Sequence, residues 1–178
     1  MLQELLPIGI IAQYAAVASD TFSSELGILA TTEPFLITAP WKQVPRGTNG
    51  GVTIDGLIYG ALGGFLLTIT AILALYLSPP HTVMSTSTAA LLTTLGLLGS
   101  VIDSILGALV QATVTDKRTG KVIEGPGGIR VKIADGGGRS RTGMDFLTNN
   151  GVNFVMASLT GLIGMGLTWA LGLGLGSS

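Results

Sequence analysis

The chain has 178 residues, of which 47% are hydrophobic and only 11% charged, against about 25% charged in a soluble domain. Its mean hydropathy of +0.63 and the gathering of apolar residues in long blocks put it in the membrane class. The net charge of −1 gives no electrostatic case for nucleic acid, and the absence of Cys with a single His, His81, excludes disulfides, thiolate metal sites and His-rich metal sites.

The N-terminus, Met1-Leu2-Gln3-Glu4, lacks the basic stretch of a signal peptide and enters an apolar segment at once. The expectation is that this chain is the C-terminal part of a longer protein. Leu5 to Ala18 is apolar apart from Gln13 and Tyr14, with Pro7 in its first turn. Continued through Phe22 it reaches the roughly 17–25 residues of a bilayer span. It runs into Ser19-Asp20-Thr21-Phe22-Ser23-Ser24-Glu25-Leu26-Gly27. Carboxylates beside a membrane-length segment are costly to desolvate and are therefore functional candidates; the plain alternative for Asp20 is an interfacial residue.

Ile28 to Gly51 is a turn-rich loop with Pro34, Pro40, Pro45 and the run Arg46-Gly47-Thr48-Asn49-Gly50-Gly51. Val52 to Leu77 is the clearest span, with Gly56, Gly60, Gly63 and Gly64 spaced to admit another helix. Asp55 in its first turn reads as a charge complementing the helix N-terminus. A short turn around Pro79-Pro80-His81 leads to a second long apolar helix, Ala89 to Ala112, and the two form a hairpin. Asp103 lies inside that second helix, where a carboxylate costs about 2.5–3.5 kcal/mol in lipid. Thr113 to Thr148 is polar, Gly-rich and basic; Val122-Ile123 and Ile129 to Ile133 could pair as a small hairpin, but the favoured reading of most of the segment is a solvated linker. Asn149-Asn150-Gly151-Val152-Asn153 opens the last span, Val152 to Leu175. The predicted fold is all-α: one membrane domain over residues 1–178, a transmembrane bundle of about four spans, with 113–148 as a cytoplasmic loop.

Positive charge marks the cytoplasmic side of a membrane protein. All nine Lys and Arg fall in the loops 28–51 and 113–148. Four alternating spans therefore put both loops on the cytoplasmic face and both termini opposite. Asp20 and Glu25 then close helix one at that face, and Gly47 to Gly51 open helix two. Asp103 lies roughly 13 Å below it, at 1.5 Å per residue, and Asn150 and Asn153 open helix four.

Asp20, Glu25 and Asp103 offer hard oxygen ligands, and Mg²⁺ takes one or two carboxylates plus substrate phosphates. Gly47, Thr48, Asn49, Gly50 and Gly51, beside Arg46, suit an anion held by backbone N–H groups at a helix start. Lys42, Arg130, Lys132, Arg139 and Arg141 add charge for a nucleotide. Phosphoryl transfer needs mainly this positioning and neutralisation, and a lipid acceptor could lay its tail between the glycine-faced helices. Singly, each motif has a plainer reading: the glycine loop as a turn and cap, since no Lys-Ser or Lys-Thr follows it, and the asparagines as a cap and an interhelical hydrogen bond. Their convergence on one face is the argument.

The residues so assembled resemble the transmembrane protein 19 family of integral membrane proteins. Asp20-Thr21-Phe22-Ser23-Ser24-Glu25 resembles its Asp-Thr-Trp-Ala-Ser-Glu signature, and Pro45-Arg46-Gly47-Thr48-Asn49-Gly50-Gly51-Val52 its Pro-x-Gly-Thr-Asn-Gly-Gly-Val motif. Leu98 to Ala108 and Asn149 to Asn153 are similar to its third and fourth motifs. The resemblance runs from about Ala15 onward, and the family includes the plant phytyl-phosphate kinases. It implies phosphoryl transfer from CTP to an isoprenoid monophosphate, with Mg²⁺ as cofactor, the bilayer as surroundings, and Asp20, Glu25, Thr48, Asn49, Asp103, Asn150 and Asn153 as candidate residues. Two departures stand out: the upstream helices of family members are missing, and Thr148 stands where many relatives have Asp. A membrane transporter or ion-coupled carrier is the competing reading, since carboxylates on Gly-rich helices suit it too. An inactive structural fragment is the third.

Overall fold

The computed structural model describes residues 2–79, 81–123 and 138–177. Four long helices dominate: α1 (Leu2–Gly27), α2 (Ile54–Leu77), α3 (Thr86–Val110) and α4 (Asn149–Ala170). Each contains a stretch long and apolar enough to cross a membrane. Their starts follow from capping chemistry. Thr53 accepts the Gly56 N–H at 3.0 Å, Ser85 that of Thr88 at 3.1 Å, and Thr148 that of Gly151 at 3.3 Å. Thr148 thus performs the capping role that an Asp at this position would also serve.

The expected helix boundaries shift at two ends. α1 continues through Phe22 to Gly27, so Asp20 and Glu25 are helical residues. α4 stops at Ala170 instead of running to Leu175, because Gly172 adopts φ +62 and the chain closes a Schellman turn. In that turn the Leu173 N–H donates to the Thr168 carbonyl at 2.9 Å and the Gly172 N–H to that of Trp169 at 3.2 Å. The following residues form strand β7 (Leu175–Ser177), antiparallel to β4 (Thr82–Met84) in the α2–α3 connection.

Short strands also brace the other end. β1 (Phe35–Leu36) lies between β2 (Ala39–Gln43) and β3 (Gly51–Val52). β5 (Thr113–Asp116) pairs with β6 (Arg139–Thr142). Val122 bridges Thr115 at the edge of β5, and the other half of the hairpin considered from the sequence, Ile129 to Ile133, lies outside the described residues.

α1 and α3 form the centre, each packing against all three other helices, with α2 and α4 flanking them. Glycine lets the backbones meet. A Cβ on Gly96 would stand 2.9 Å from the Gly64 Cα, and one on Gly63 would stand 2.7 Å from the Ala18 carbonyl oxygen. In lipid, where burial of apolar surface gives helices little reason to associate, such close approach supplies the packing. The glycine faces of α2 are therefore filled by α1 and α3, and the space between them cannot hold the lipid tail that the sequence suggested. Two buried hydroxyls are satisfied locally, Thr68 donating to the Gly64 carbonyl and Thr160 to that of Met156, both at 2.9 Å, whereas those of Ser19 and Thr168 find no partner among the described residues.

This packing generates a matched pair of expectations. Gly63→Val forces a side chain against the α1 backbone and should destabilise the bundle by about 1–3 kcal/mol. Gly166→Ala, where a Cβ meets nothing within 4 Å, should be neutral or stabilise by up to about 1 kcal/mol. Thermal unfolding of both variants in detergent checks the contrast.

Candidate functional site

The ends of α1 and α3, the starts of α2 and α4, and both basic loops meet at one end of the bundle. Between them lies a cavity of about 890 Å³. It is lined by Asp20 and Glu25 of α1, Arg46 to Gly51 of the first loop, Asp103 of α3 and Asn153 of α4. The candidate carboxylates, the residues of the glycine loop and Asn153 all line this cavity, whereas Asn150 is exposed in the first turn of α4.

The glycine loop is seated by contacts that only its sequence permits. Gly47 and Gly50 adopt φ +82 and +76, a region that favours glycine. At Gly50 a side chain would collide with Ala108 and stand 2.7 Å from the Ser104 carbonyl oxygen. Asn49 then ties the loop to the end of α3. Its backbone N–H donates to the Thr113 hydroxyl at 3.1 Å, and its side-chain amide donates to the Ala112 carbonyl at 3.0 Å. Thr48 donates from its hydroxyl to the Pro45 carbonyl, and the Gly51 N–H donates to the Thr48 carbonyl at 2.8 Å. The N–H groups of Thr48, Asn49 and Gly51 are thus engaged within the protein. α2 begins only at Ile54. The loop is a preformed wall of the cavity that stands just ahead of α2, with three of its five backbone N–H groups, those of Thr48, Asn49 and Gly51, turned to protein partners. Arg46 is partly structural as well, its Nη2 donating to the carbonyls of Ala30 at 2.8 Å and Thr32 at 2.9 Å.

The opposite wall carries the charge. One oxygen of Asp20 accepts from the Ser100 hydroxyl at 3.4 Å, and the Asp20 and Asp103 carboxylates are close enough to interact electrostatically. Among the described residues, Asp103 Oδ2 and Asn153 Oδ1 are buried without a hydrogen-bond partner. A buried polar atom left unpaired costs about 1–3 kcal/mol, so two of them in one cavity call for a ligand, ion or water there. Two carboxylates and an amide oxygen form a hard-oxygen donor set, and this fits Mg²⁺. Glu25 stands apart: five residues beyond Asp20, it lies about 140° round the helix and is exposed at the cavity rim. Among the described residues no three acidic or His side chains gather into a metal cluster. The expected three-carboxylate set therefore reduces to Asp20 and Asp103, because the α1 helix turns Glu25 away.

Several residues of the site escaped the sequence reading. Ser100 and Ser104 flank Asp103, one helical turn before it and next to it, and that spacing was the available signal. Gln111, buried at the C-cap of α3, donates to the Asn149 side chain at 3.4 Å. Asp145 lines the cavity and binds Arg141 at 3.1 Å, which engages one cation proposed for a nucleotide. Arg139 and Lys42 lie outside the cavity lining, and Arg130 and Lys132 lie outside the described residues.

The fold and cavity define a multi-pass integral membrane protein with four candidate spans and a carboxylate-bearing polar chamber at one end of its bundle. Residues 1–161 match the family described as integral membrane protein DUF92, and the chain belongs to that family; the resemblance read from its four motifs stands. Protein PGR of Arabidopsis thaliana is 41% identical over 164 residues, covering 87% of this chain and 52% of its own length. An uncharacterized membrane protein of Methanocaldococcus jannaschii is 41% identical over 104 residues, covering 58% of this chain and 40% of its own length. Protein VTE6, chloroplastic, of Arabidopsis thaliana is 30% identical over 108 residues, 61% of this chain and 30% of that protein. The chain spans about half or less of the length of these relatives. No solved structure matches it.

Asn49→Ala removes the bond to the Ala112 carbonyl and is expected to cost about 0.5–1.5 kcal/mol. Faster hydrogen exchange confined to residues 45–52 and 111–114, with the helices unchanged, is the result to look for by mass spectrometry.

Proposed function

We propose that the chamber is the phosphate-handling site of an isoprenoid-phosphate kinase, in which a phosphoryl group passes from CTP to a prenyl monophosphate. The observation that carries this reading is the union in one chamber of Asp20, the glycine loop, Asp103 and Asn153, four motifs far apart in the chain. The family resemblance supplies the substrate class. In the reaction, an oxygen of the prenyl phosphate attacks the γ-phosphorus of CTP. The bond to the β-phosphate oxygen breaks, and CDP leaves with prenyl diphosphate as the product.

Such transfer depends on positioning and charge neutralisation more than on covalent help from the protein. Asp20, Asp103 and Asn153 would hold Mg²⁺, which when bound supplies positive charge to the phosphates. Ser100 orients Asp20. The loop from Gly47 to Gly51 limits where the phosphates can sit, and Arg46, anchored to Ala30 and Thr32, brings fixed positive charge to the chamber wall. Glu25 at the rim would act on the entering nucleotide or its ion. The basic residues at this end of the bundle fit a cytoplasmic orientation, where nucleotide is available.

The test uses the full-length protein in membranes, with labelled CTP and a panel of prenyl monophosphates. Asp103→Asn should lower transfer by about 10²–10³-fold, the loss typical of removing a preorganised charge-stabilising group, with insertion and expression unchanged. Glu25→Gln, at the exposed rim, should lower transfer less than Asp103→Asn does. Normal activity in Asp103→Asn would refute the reading. Substrate flux in proteoliposomes without nucleotide would favour a transporter instead.

A further inference from the structure

The chamber accounts for a phosphate but not for a hydrocarbon tail. The glycine faces of α2, where a tail would have been expected, are closed: Gly60 lies on Ser19, Gly63 on Phe22 and Gly64 on Gly96. A second hollow, a shallow groove of about 320 Å³, runs along the outer edge of the α1–α4 seam. Its walls are mainly apolar, built from Leu6, Gly9 and Ile10 of α1 and Gly161, Leu162 and Met165 of α4, with Ser158, whose hydroxyl donates to the Phe154 carbonyl, the one polar residue.

Two observations connect this groove to the chamber. The same two helices, α1 and α4, contribute to both. On α1 the two linings are also in register. Gly9 lies eleven residues before Asp20 and Ile10 eleven before Thr21, three turns that bring each pair within about 20° of one another. Leu6 lies eighteen residues before Ser24, five full turns, on the same line. Asp20, Thr21 and Ser24 all line the chamber, so the polar and apolar hollows follow one face of α1. The groove begins about 16 Å down the helix from Asp20, at 1.5 Å per residue. With Asp20 itself about 10 Å inside the end of α1, the groove lies in the far half of a hydrocarbon core about 30 Å thick.

Resting on the kinase reading for its substrate class, we propose that the groove between α1 and α4 receives the hydrocarbon tail of the prenyl monophosphate whose head group occupies the chamber. The substrate would enter sideways from the bilayer along the seam. Its phosphate would be drawn past Thr21 and Ser24 toward Asp103, and the tail would settle against Leu6, Ile10 and Leu162. Tail recognition is then by apolar contact. Ile10 and Leu162, both more than half exposed to the surroundings, can be changed without disturbing the core.

Photolabelling tests this directly. The full-length protein in membranes is irradiated, without nucleotide, with a geranylgeranyl monophosphate carrying a diazirine at the tail end, and the labelled peptides are sequenced. The expected label falls on residues 6–10 and 158–165. Unlabelled prenyl monophosphate competes it away, and the paired substitution Ile10→Trp with Leu162→Trp abolishes it. Labelling mainly on the outer faces of α2 or α3 would overturn the proposal. So would equal labelling by the corresponding prenyl alcohol, which reports only lipid contact. Transfer from CTP is measured separately: groove labelling without transfer upholds the tail site and rejects the kinase reading, whereas transfer with labelling elsewhere rejects the tail site alone.

Discussion

Everything at the polar end of this protein depends on backbone contact between helices deep in the bundle. Gly64 and Gly96 set α2 and α3 nearly back to back, and Gly60 and Gly63 admit α1 against α2. On the other side, Gly161 and Gly164 receive Gly9 and Ala12 of α1. With hydrocarbon outside, the bundle has little to gain from hiding apolar side chains, so close approach and its dispersion energy carry the packing. The outer faces keep their leucines, isoleucines and aromatics exposed, Leu73, Tyr76, Leu162 and Trp169 among them. In water such surfaces would aggregate; in a bilayer they are the solvent boundary.

That packing fixes what the polar residues can do. Because α1 touches all three other helices, its final turns sit where α2 and α4 begin and α3 ends. Asp20 is thereby held beside Ser100 and in the field of Asp103. Gly50, pressed against α3 at Ser104 and Ala108, locks the first loop to the same place. A carboxylate as deep as Asp103 is retained at a cost, and its unpaired oxygen, facing the same chamber as that of Asn153, indicates what the cost serves. The proposed transfer between a membrane-embedded acceptor and a soluble donor draws on the chamber's position at one end of the bundle.

The sequence made the spans legible because a run of apolar residues over twenty long has few other physical explanations. It also made the clustering legible, since alternate spans and the distribution of Lys and Arg bring Asp20, Gly47 to Gly51, Asp103 and Asn153 to one face. What it could not give was the use of the glycines. Spacing identifies a small-residue face but not whether a helix or a ligand fills it, and here α1 and α3 fill it. The roles within the glycine loop were hidden for a similar reason. Thr48 and Asn49 look like ligands for an anion, yet their donors are engaged by Pro45, Ala112 and Thr113, partners up to 64 residues away in sequence. Glu25 stands at the cavity rim apart from Asp20, since an i to i+5 spacing does not keep two side chains on one helical face.

The central claim is that the chamber binds a cation and a nucleotide phosphate together through Asp20, Asp103 and Asn153. The most direct measurement is electron–nuclear double resonance on the full-length protein loaded with Mn²⁺ in place of Mg²⁺. The account predicts ³¹P couplings on adding CTP, and their loss in Asp103→Asn. A Mn²⁺ spectrum unchanged by CTP, or ³¹P couplings that persist undiminished in Asp103→Asn, would contradict it.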